Sequence, residues 1–210
     1  MRIVGGSLRG RRLAAPKGNA VRPTTDRTRE TLFNILRNLD AVEGAFVLDA
    51  FCGTGALALE ALSRGAARAT LLDRAQASLA LARANVAALG QDASTTILRA
   101  DATRPPPLRG EPHDLVLLDP PYGRGLGDRA LTALADAGWI APGATVVLEE
   151  RTDAPAATSV RFRTDDRRRL GETTLTFFTF LDKDAEDERI VASDEKLRSS
   201  PSSHTPSAPR

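Results

Sequence analysis

The residues with the clearest chemical potential stand at positions 119–122 and read Asp-Pro-Pro-Tyr. Two consecutive prolines, Pro120 and Pro121, fix the backbone φ angle and supply no N–H donors, so the carbonyls of Asp119 and Pro120 are left as acceptors. With the Asp119 carboxylate they could hold the hydrogens of an exocyclic amine, and Tyr122 offers a flat face for a planar base. The pattern predicts a site that aims an aromatic amine at a methyl donor.

A second candidate site is the glycine-containing loop at residues 49–55, which reads DAFCGTG. Glycines allow a sharp turn and a close approach between a ligand and the main chain. The next two predicted strands lead to Asp73, which could accept both ribose hydroxyls of a nucleoside, and to Asp101, which could receive an adenine amino group. The three segments together predict a crevice for an adenosine-containing cofactor.

The glycine loop alone has other interpretations. It also fits the looser glycine pattern of dinucleotide-binding folds, and it could be a tight turn that binds nothing. Asp49 favours a cationic cofactor, because a carboxylate repels a pyrophosphate. S-adenosylmethionine, with its amino group and sulfonium, meets that preference better than NAD. Cys52 has no evident base partner, so we expect a small buried residue there rather than a nucleophile.

The elements that must position these residues alternate along the middle of the chain. Apolar runs predict five strands, at residues 45–51, 69–73, 95–99, 114–119 and 145–149. Apolar residues at helical spacing predict helices at residues 56–64, 75–89 and 129–138. Uninterrupted apolar strands that alternate with helices are typical of a parallel sheet covered on both faces.

After residue 156 the pattern changes. Residues 160–163 and 174–180 read as two strands with no helix between them, which predicts an antiparallel hairpin at one edge, with residues 167–169 in its turn. The fold class is therefore α/β, with a seven-stranded, mostly parallel sheet and an antiparallel C-terminal hairpin. We expect His113 to be a surface residue at the end of its strand opposite the chemistry.

The N-terminal region is basic although the whole chain, with 29 Lys and Arg against 27 Asp and Glu, is nearly neutral. The first 37 residues hold nine basic side chains and two acidic ones, Asp26 and Glu30. Such clustering favours contacts with nucleic-acid phosphates. The candidates for these contacts are Arg9, Arg11, Arg12, Lys17 and Arg22. Arg22, together with Arg27 and Arg29, could instead pair with nearby acids or with the sheet domain.

Three regions follow from these patterns: a basic N-terminal arm and helix at residues 1–40, a sheet domain at 41–181 and a tail at 182–210. Leu32, Phe33, Leu36 and Leu39 define one face of the helix, and Thr25 is its expected N-cap. The tail is acidic and then rich in Ser and Pro, without aromatic residues, so we expect it to be disordered.

Composition argues against several classes of protein. One cysteine cannot form an intramolecular disulfide, and one cysteine with two histidines cannot supply a four-ligand Cys/His zinc site, so we expect no metal. No signal peptide is apparent, and no apolar stretch approaches the ~18 residues of a membrane span. We therefore expect a cytoplasmic protein that makes no membrane contact.

Four segments together resemble the RsmD family. They are residues 1–11, residues 22–34 (RPTTDRTRETLFN), the loop at 49–57 and the Asp-Pro-Pro-Tyr corner. The resemblance covers roughly residues 2–181. The loop and the corner are shared by many amino-methyltransferases, and the run at residues 22–30 is the more family-specific part. The tail after Leu181 departs from the family pattern.

The resemblance implies a Rossmann-like class I S-adenosylmethionine-dependent methyltransferase that acts on the N2 amine of one guanine in 16S ribosomal RNA. The target would be unpaired or flipped out. The implied catalytic residues are Asp119, Pro120, Pro121 and Tyr122. The implied cofactor-binding residues are Asp49, Phe51, Gly53, Gly55, Asp73, Asp101 and Ala102. The implied partner of a monomeric enzyme is 16S ribosomal RNA or a small-subunit particle.

Other functions stay open at this point. Methylation of adenine N6 or of a protein glutamine would use a similar corner, although many such enzymes carry Asn where this chain has Asp119. A non-catalytic RNA-binding or assembly factor that has kept the fold, and an NAD-dependent oxidoreductase, are the alternatives from different classes.

Overall fold

The computed structural model describes residues 1–16, 26–154 and 161–182. Within these ranges the chain forms four α-helices and seven β-strands. In chain order they are α1 (Asp26–Asn38), β1 (Phe46–Ala50), α2 (Ala56–Ser63), β2 (Arg68–Asp73), α3 (Gln76–Leu89), β3 (Thr95–Arg99), β4 (His113–Leu118), α4 (Leu126–Asp136), β5 (Ile140–Arg151), β6 (Phe162–Leu170) and β7 (Thr173–Phe180). Thr25, Lys17, Arg22 and the tail from residue 183 lie outside the described residues.

All seven strands form one sheet in the order β3-β2-β1-β4-β5-β7-β6. The first five are parallel, and β7 is antiparallel to both of its neighbours. The predicted seven-stranded sheet with an antiparallel C-terminal hairpin is therefore confirmed. The chain proceeds outward from β1 to β3 and then returns to β4 on the other side of β1. This reversal creates a topological switch point between β1 and β4, where open α/β sheets bind ligands.

Apolar side chains are buried on both faces of the sheet. On β1, Val47 packs in the cluster that includes α1, α2 and α3, whereas Leu48 packs in the cluster that includes α4. On β7, Phe177 packs in the first of these clusters and Phe178 in the second. Successive strand residues point to opposite faces, so a sheet covered on both sides needs apolar residues at every position.

Residues 1–16, which we call the docked arm, fold back on themselves and pack on α2. Arg2 and Arg12 form an antiparallel bridge. The carboxylate of Glu60 on α2 accepts the N–H groups of Val4 and Gly5, each at 2.8 Å. Because these main-chain donors are satisfied by a side chain of α2, the arm is held against the sheet domain.

Glu60 also anchors α1. The fully buried Arg29 lies 3.6 Å from the fully buried Glu60, and Arg64 approaches Glu60 to 2.7 Å. Arg29 forms a second ion pair with Asp26 at 2.8 Å. The sequence left open that Arg29 pairs with nearby acids, and both of its ion pairs are of that kind.

Three interpretations of the sequence were wrong. Leu39 is not part of the buried helical face: it follows the end of α1 and is 54% exposed. His113 is not a surface residue: it is buried, its ring stacks on Trp139 with centroids 5.6 Å apart, and burial lowers its pKa. Residues 167–169 are not in a turn: they form the last part of β6, and Gly171 lies in the turn that follows. Neither the Trp139 contact nor the pairing of β6 with β7 leaves a local signal in the sequence.

Candidate functional site

Four acidic residues lie at or just beyond the carboxyl ends of four neighbouring strands. Asp101 follows β3, Asp73 ends β2, Asp49 lies near the end of β1, and Asp119 follows β4. Since these strands are adjacent in the order β3-β2-β1-β4, the residues form a row along one edge of the sheet. Adjacent strands are about 4.8 Å apart, so the Asp-Pro-Pro-Tyr corner is next to the glycine loop.

The glycine loop turns sharply from β1 into α2. Gly53 and Gly55 have φ angles of +56° and +76°, in the left-handed region that favours glycine. A Cβ at Gly55 would lie 2.6 Å from Leu71 Cδ2, whereas the nearest atom to a Cβ at Gly53 is a backbone oxygen 4.0 Å away. Gly55 therefore serves packing, and Gly53 leaves open space beside the loop.

Phe51 is a non-glycine residue in the same left-handed region, with φ +69°. Its half-buried ring packs against the cluster on the α4 face, and the next residue, Cys52, donates its N–H to the Leu72 carbonyl at 3.0 Å. A left-handed conformation costs an L-residue roughly 1–2 kcal/mol. The packing of the ring offsets that strain and holds the loop in shape.

Asp49 lies beneath the loop rather than at its surface. Its side chain is buried, and its Oδ2 accepts the Ala58 N–H of α2 at 3.0 Å. Burial raises the pKa of Asp49 to about 8, and the negative charges of Asp119 and Asp73 add to this shift. A cation at the switch point would lower that pKa again. Cys52 is also buried, as predicted, and burial raises the pKa of its thiol.

Asp73 and Asp101 are more accessible. One carboxylate oxygen of Asp73 accepts the Gly53 N–H at 3.0 Å, and the other accepts the Ala75 N–H at 2.8 Å. Asp101 accepts hydrogen bonds from the main chain and the hydroxyl of Thr103, and the hydroxyl bond is the largest of the effects that lower its pKa. Ala102 is buried beside them. These carboxylates retain lone pairs for hydroxyl or amino donors of a ligand.

The Asp-Pro-Pro-Tyr corner is anchored by residues that the sequence analysis missed. Tyr122 is 40% exposed, which is unusual for a large hydrophobic side chain in this protein. Its hydroxyl lies 3.2 Å from Oε1 of Glu149 at the end of β5 and 3.3 Å from the Thr173 hydroxyl at the start of β7. Pro120 is buried and Pro121 is exposed. Glu149 could have been found by the rule that led to Asp73, because it too stands at a carboxyl end.

Four arginines of the docked arm are exposed: Arg2, which approaches Asp26 to 3.5 Å, and Arg9, Arg11 and Arg12. Arg11 donates to the Ala88 carbonyl of α3 at 2.7 Å, which ties the arm to a second helix. Further exposed arginines occupy β6, whose carboxyl end lies at the same edge of the sheet as Tyr122. Basic side chains are therefore present on both the arm and the C-terminal hairpin.

A cavity of about 660 Å³ lies at the other end of the parallel strands, where they begin. Its lining includes Phe46, Thr70, His113 and Trp139, at or near the amino ends of β1, β2, β4 and β5. The cavity is therefore separate from the carboxyl ends of the strands, where the four acidic residues lie. Within the part of the chain that the structure describes, no three His, Cys, Asp or Glu side chains cluster as a metal site would, and no helix has the length and apolar character to cross a membrane.

The chain is similar in sequence to known proteins. The family model described as "Conserved hypothetical protein 95" matches residues 1–179. "Ribosomal RNA small subunit methyltransferase D" of Escherichia coli K12 is 41% identical over 153 residues, which are 73% of this chain and 76% of that protein. The protein of the same name from Haemophilus influenzae is 33% identical over 161 residues, covering 75% of this chain and 82% of that one.

Solved structures are similar as well. The structure described as "Putative methyltransferase yhhF from Escherichia coli" aligns with a TM-score of 0.74 and 35% identity, covering 86% of this chain and 98% of that one. The structure described as "crystal structure of a putative RNA methyltransferase PH1948 from Pyrococcus horikoshii" aligns with a TM-score of 0.64 at 17% identity, over 80% of this chain and 93% of that one, which shows the fold alone. The sheet is therefore that of a Rossmann-like methyltransferase fold.

Proposed function

The chain belongs to the Cons_hypoth95 (RsmD) family, and from that membership we propose that it transfers a methyl group from S-adenosylmethionine to the exocyclic N2 amine of a guanine in 16S ribosomal RNA. One observation carries the proposal: the glycine loop and the Asp-Pro-Pro-Tyr corner follow adjacent strands, β1 and β4, at the switch point of the sheet. The two reacting groups can then be held side by side.

The residues at the switch point fit the proposed cofactor. The open space beside Gly53 admits a ligand close to the main chain. Asp73 and Asp101 present acceptors for ribose hydroxyls and an adenine amine, and the buried Asp49 favours a positive charge nearby. Phe51, Gly55 and Ala102 shape this pocket. When bound, S-adenosylmethionine would supply an electrophilic methyl group on a sulfonium, whose bond to that methyl group breaks to leave a neutral thioether as the bond to nitrogen forms.

The corner after β4 would bind and orient the acceptor amine. The Asp119 carboxylate and the Pro120 carbonyl accept its hydrogens, which directs the nitrogen lone pair towards the cofactor pocket. Positive charge develops on nitrogen as the N–C bond forms, and the Asp119 carboxylate stabilises it. The surplus proton passes to that carboxylate or to solvent. Tyr122 stacks on the guanine, a contact worth about 1–3 kcal/mol.

The basic side chains would bind the RNA backbone. Phosphate contacts position an RNA but do not select its sequence. We assign them to Arg9, Arg11 and Arg12 on the docked arm, and to Lys17 and Arg22 in the segment outside the described residues. In this proposal residues 1–40 form the RNA-binding arm and helix, residues 41–181 form the catalytic domain, and a single copy of the chain acts in the cytoplasm on RNA or on a small-subunit particle.

A labelling experiment tests the proposal. Purified protein with S-adenosylmethionine carrying a labelled methyl group is incubated with small-subunit particles from cells that lack this chain, and the nucleosides are separated by mass spectrometry. We expect label on guanine N2 and none when Asp119→Ala protein is used. Label on adenine or on protein alone would contradict the guanine assignment. RNA binding without methyl transfer would indicate an assembly factor instead.

A further inference from the structure

One buried amide joins the docked arm to the glycine loop. Asn85 on α3 is 2% exposed. Its Nδ2 donates to the Thr54 carbonyl at 2.9 Å and to the Ala14 carbonyl at 3.1 Å, and its Oδ1 accepts the Ala14 N–H at 2.7 Å. Thr54 stands between the two glycines of the loop, and Ala14 lies two residues after Arg12.

The chemistry of these contacts requires a carboxamide. A neutral amide offers two N–H hydrogens as donors and one oxygen as an acceptor, and all three take part in these hydrogen bonds. The opposite orientation of the amide would set its oxygen against two carbonyls and its N–H₂ against an N–H group. An aspartate would likewise place an oxygen against both carbonyls. The residue type at position 85 and its orientation are therefore determined by the two segments that it joins.

The other anchors of the arm contact a different place. Glu60 binds the N–H groups of Val4 and Gly5, and the Ser63 hydroxyl accepts the Leu8 N–H at 2.9 Å. Both Glu60 and Ser63 lie on α2 rather than in the loop. Asn85 differs from them because a single side chain contacts the arm and the loop at once.

We propose that Asn85 is a positioning residue that couples RNA binding by the arm to cofactor binding at the glycine loop, so that each ligand raises the affinity for the other. The inference rests on the proposed function, because it takes S-adenosylmethionine and 16S ribosomal RNA as the two ligands. RNA that restrains Arg11 and Arg12 also restrains Ala14, and the Asn85 amide passes this restraint to Thr54. Coupling between two binding equilibria is necessarily reciprocal.

The test measures the dissociation constant of labelled S-adenosylhomocysteine with and without saturating small-subunit particles. We expect the wild-type protein to bind it at least about 5-fold more tightly when the particles are present, the lower range of typical coupling. The ratio of the dissociation constant without particles to that with particles should fall to within about 2-fold of unity in Asn85→Ala. The same result is expected in Asn85→Asp, which keeps the acceptor for the Ala14 N–H. At saturation of both ligands kcat should change less than the two KM values.

Ser63→Ala is the matched control. It removes both hydrogen bonds between the Ser63 hydroxyl and the arm, from the Leu8 N–H and to the Gly5 carbonyl, without touching the loop. The ratio of the two dissociation constants should therefore remain that of the wild-type protein. Equal loss of the ratio in Ser63→Ala, or its retention in both Asn85 variants, would overturn coupling through Asn85. A wild-type protein that methylates RNA but shows no mutual effect of the ligands would overturn the inference and leave the proposed function standing. A wild-type protein that binds no cofactor would overturn both.

Discussion

The hydroxyl of Tyr122 lies 3.2 Å from Oε1 of Glu149, which connects the corner after β4 to the end of β5. Burial raises the pKa of Tyr122 to about 12, so the phenol is a hydrogen-bond donor at neutral pH. The contacts with Glu149 and Thr173 hold the hydroxyl end of the side chain in place before any ligand arrives. The partly exposed ring of Tyr122 is therefore positioned in advance, which lowers the entropic cost of binding a base.

Removal of the Tyr122 ring should reduce activity more than removal of its hydroxyl. Tyr122→Ala loses the stacking surface, worth about 1–3 kcal/mol, so kcat/KM for methyl transfer should fall by about 5- to 150-fold. Tyr122→Phe keeps the ring but loses the bonds to Glu149 and Thr173, and we expect a smaller decrease. Steady-state kinetics with RNA as the varied substrate measure both. Equal activities of the two variants would argue against stacking.

Substitution of the two loop glycines should have different effects, one on cofactor affinity and the other on the free energy of unfolding. Gly53→Ala adds a methyl group in open space at φ +56°, so we expect about 1 kcal/mol of backbone strain and at least a 10-fold loss of cofactor affinity. Gly55→Ala places Cβ 2.6 Å from Leu71 Cδ2, and we expect a loss of about 2–4 kcal/mol in the free energy of unfolding. Calorimetric binding and urea denaturation measure these effects. Unchanged cofactor affinity in Gly53→Ala would support a simple turn.

Asp49 should make stability decrease as pH rises. The ordinary pKa of 3.8 is raised to about 8 in the folded protein, so between these values the folded state holds a proton that the unfolded chain has lost. The free energy of unfolding then falls with pH, at up to about 1.4 kcal/mol per unit for this group. Asn can still accept the Ala58 N–H, so Asp49→Asn should gain stability relative to the wild-type protein from pH 5.5 to pH 8. Parallel pH profiles of the two proteins would contradict the shift.

Truncation of Glu60 should release the docked arm. Glu60→Ala leaves the buried guanidinium of Arg29 without this carboxylate and removes the acceptor of two main-chain N–H groups, so we expect a loss of about 3–5 kcal/mol. Asp153→Ala, which breaks the exposed pair with Arg151, should have no measurable effect. Urea denaturation compares the variants, and limited proteolysis reports release of the arm. A similar stability change in both would show that burial is unimportant here.

Local patterns predicted most of the sheet and both motifs of the site. The third strand was predicted at its observed bounds, Thr95–Arg99, and the first, second and fourth differ by one residue at one or both ends. Longer discrepancies arose where pairing extends an element. β5 runs from Ile140 to Arg151 because β4 and β7 bind it on either side, although the apolar run covers only residues 145–149.

β6 shows why a polar strand escapes prediction. Its sequence, FRTDDRRRL, has no apolar alternation, and most of its side chains are exposed. The hydrogen bonds to β7 hold it extended, and these depend on a chain segment that is close only after folding. Helix α4 likewise begins at Leu126, three residues before the predicted start, after a left-handed Gly125.

The sequence by itself determined the alternation of strands and helices, the rigid Asp-Pro-Pro-Tyr corner and the glycine loop. The spacing of apolar residues, the prolines and the glycines each determine the conformation of the backbone close to them in the chain. Only the tertiary structure decided which polar side chains meet. Asn85 reaches Thr54 and Ala14, and Tyr122 reaches Glu149, across separations of 27 to 71 residues. Such partnerships carry no local signal, since they are selected by the packing that buries them and by the need to satisfy every buried donor and acceptor.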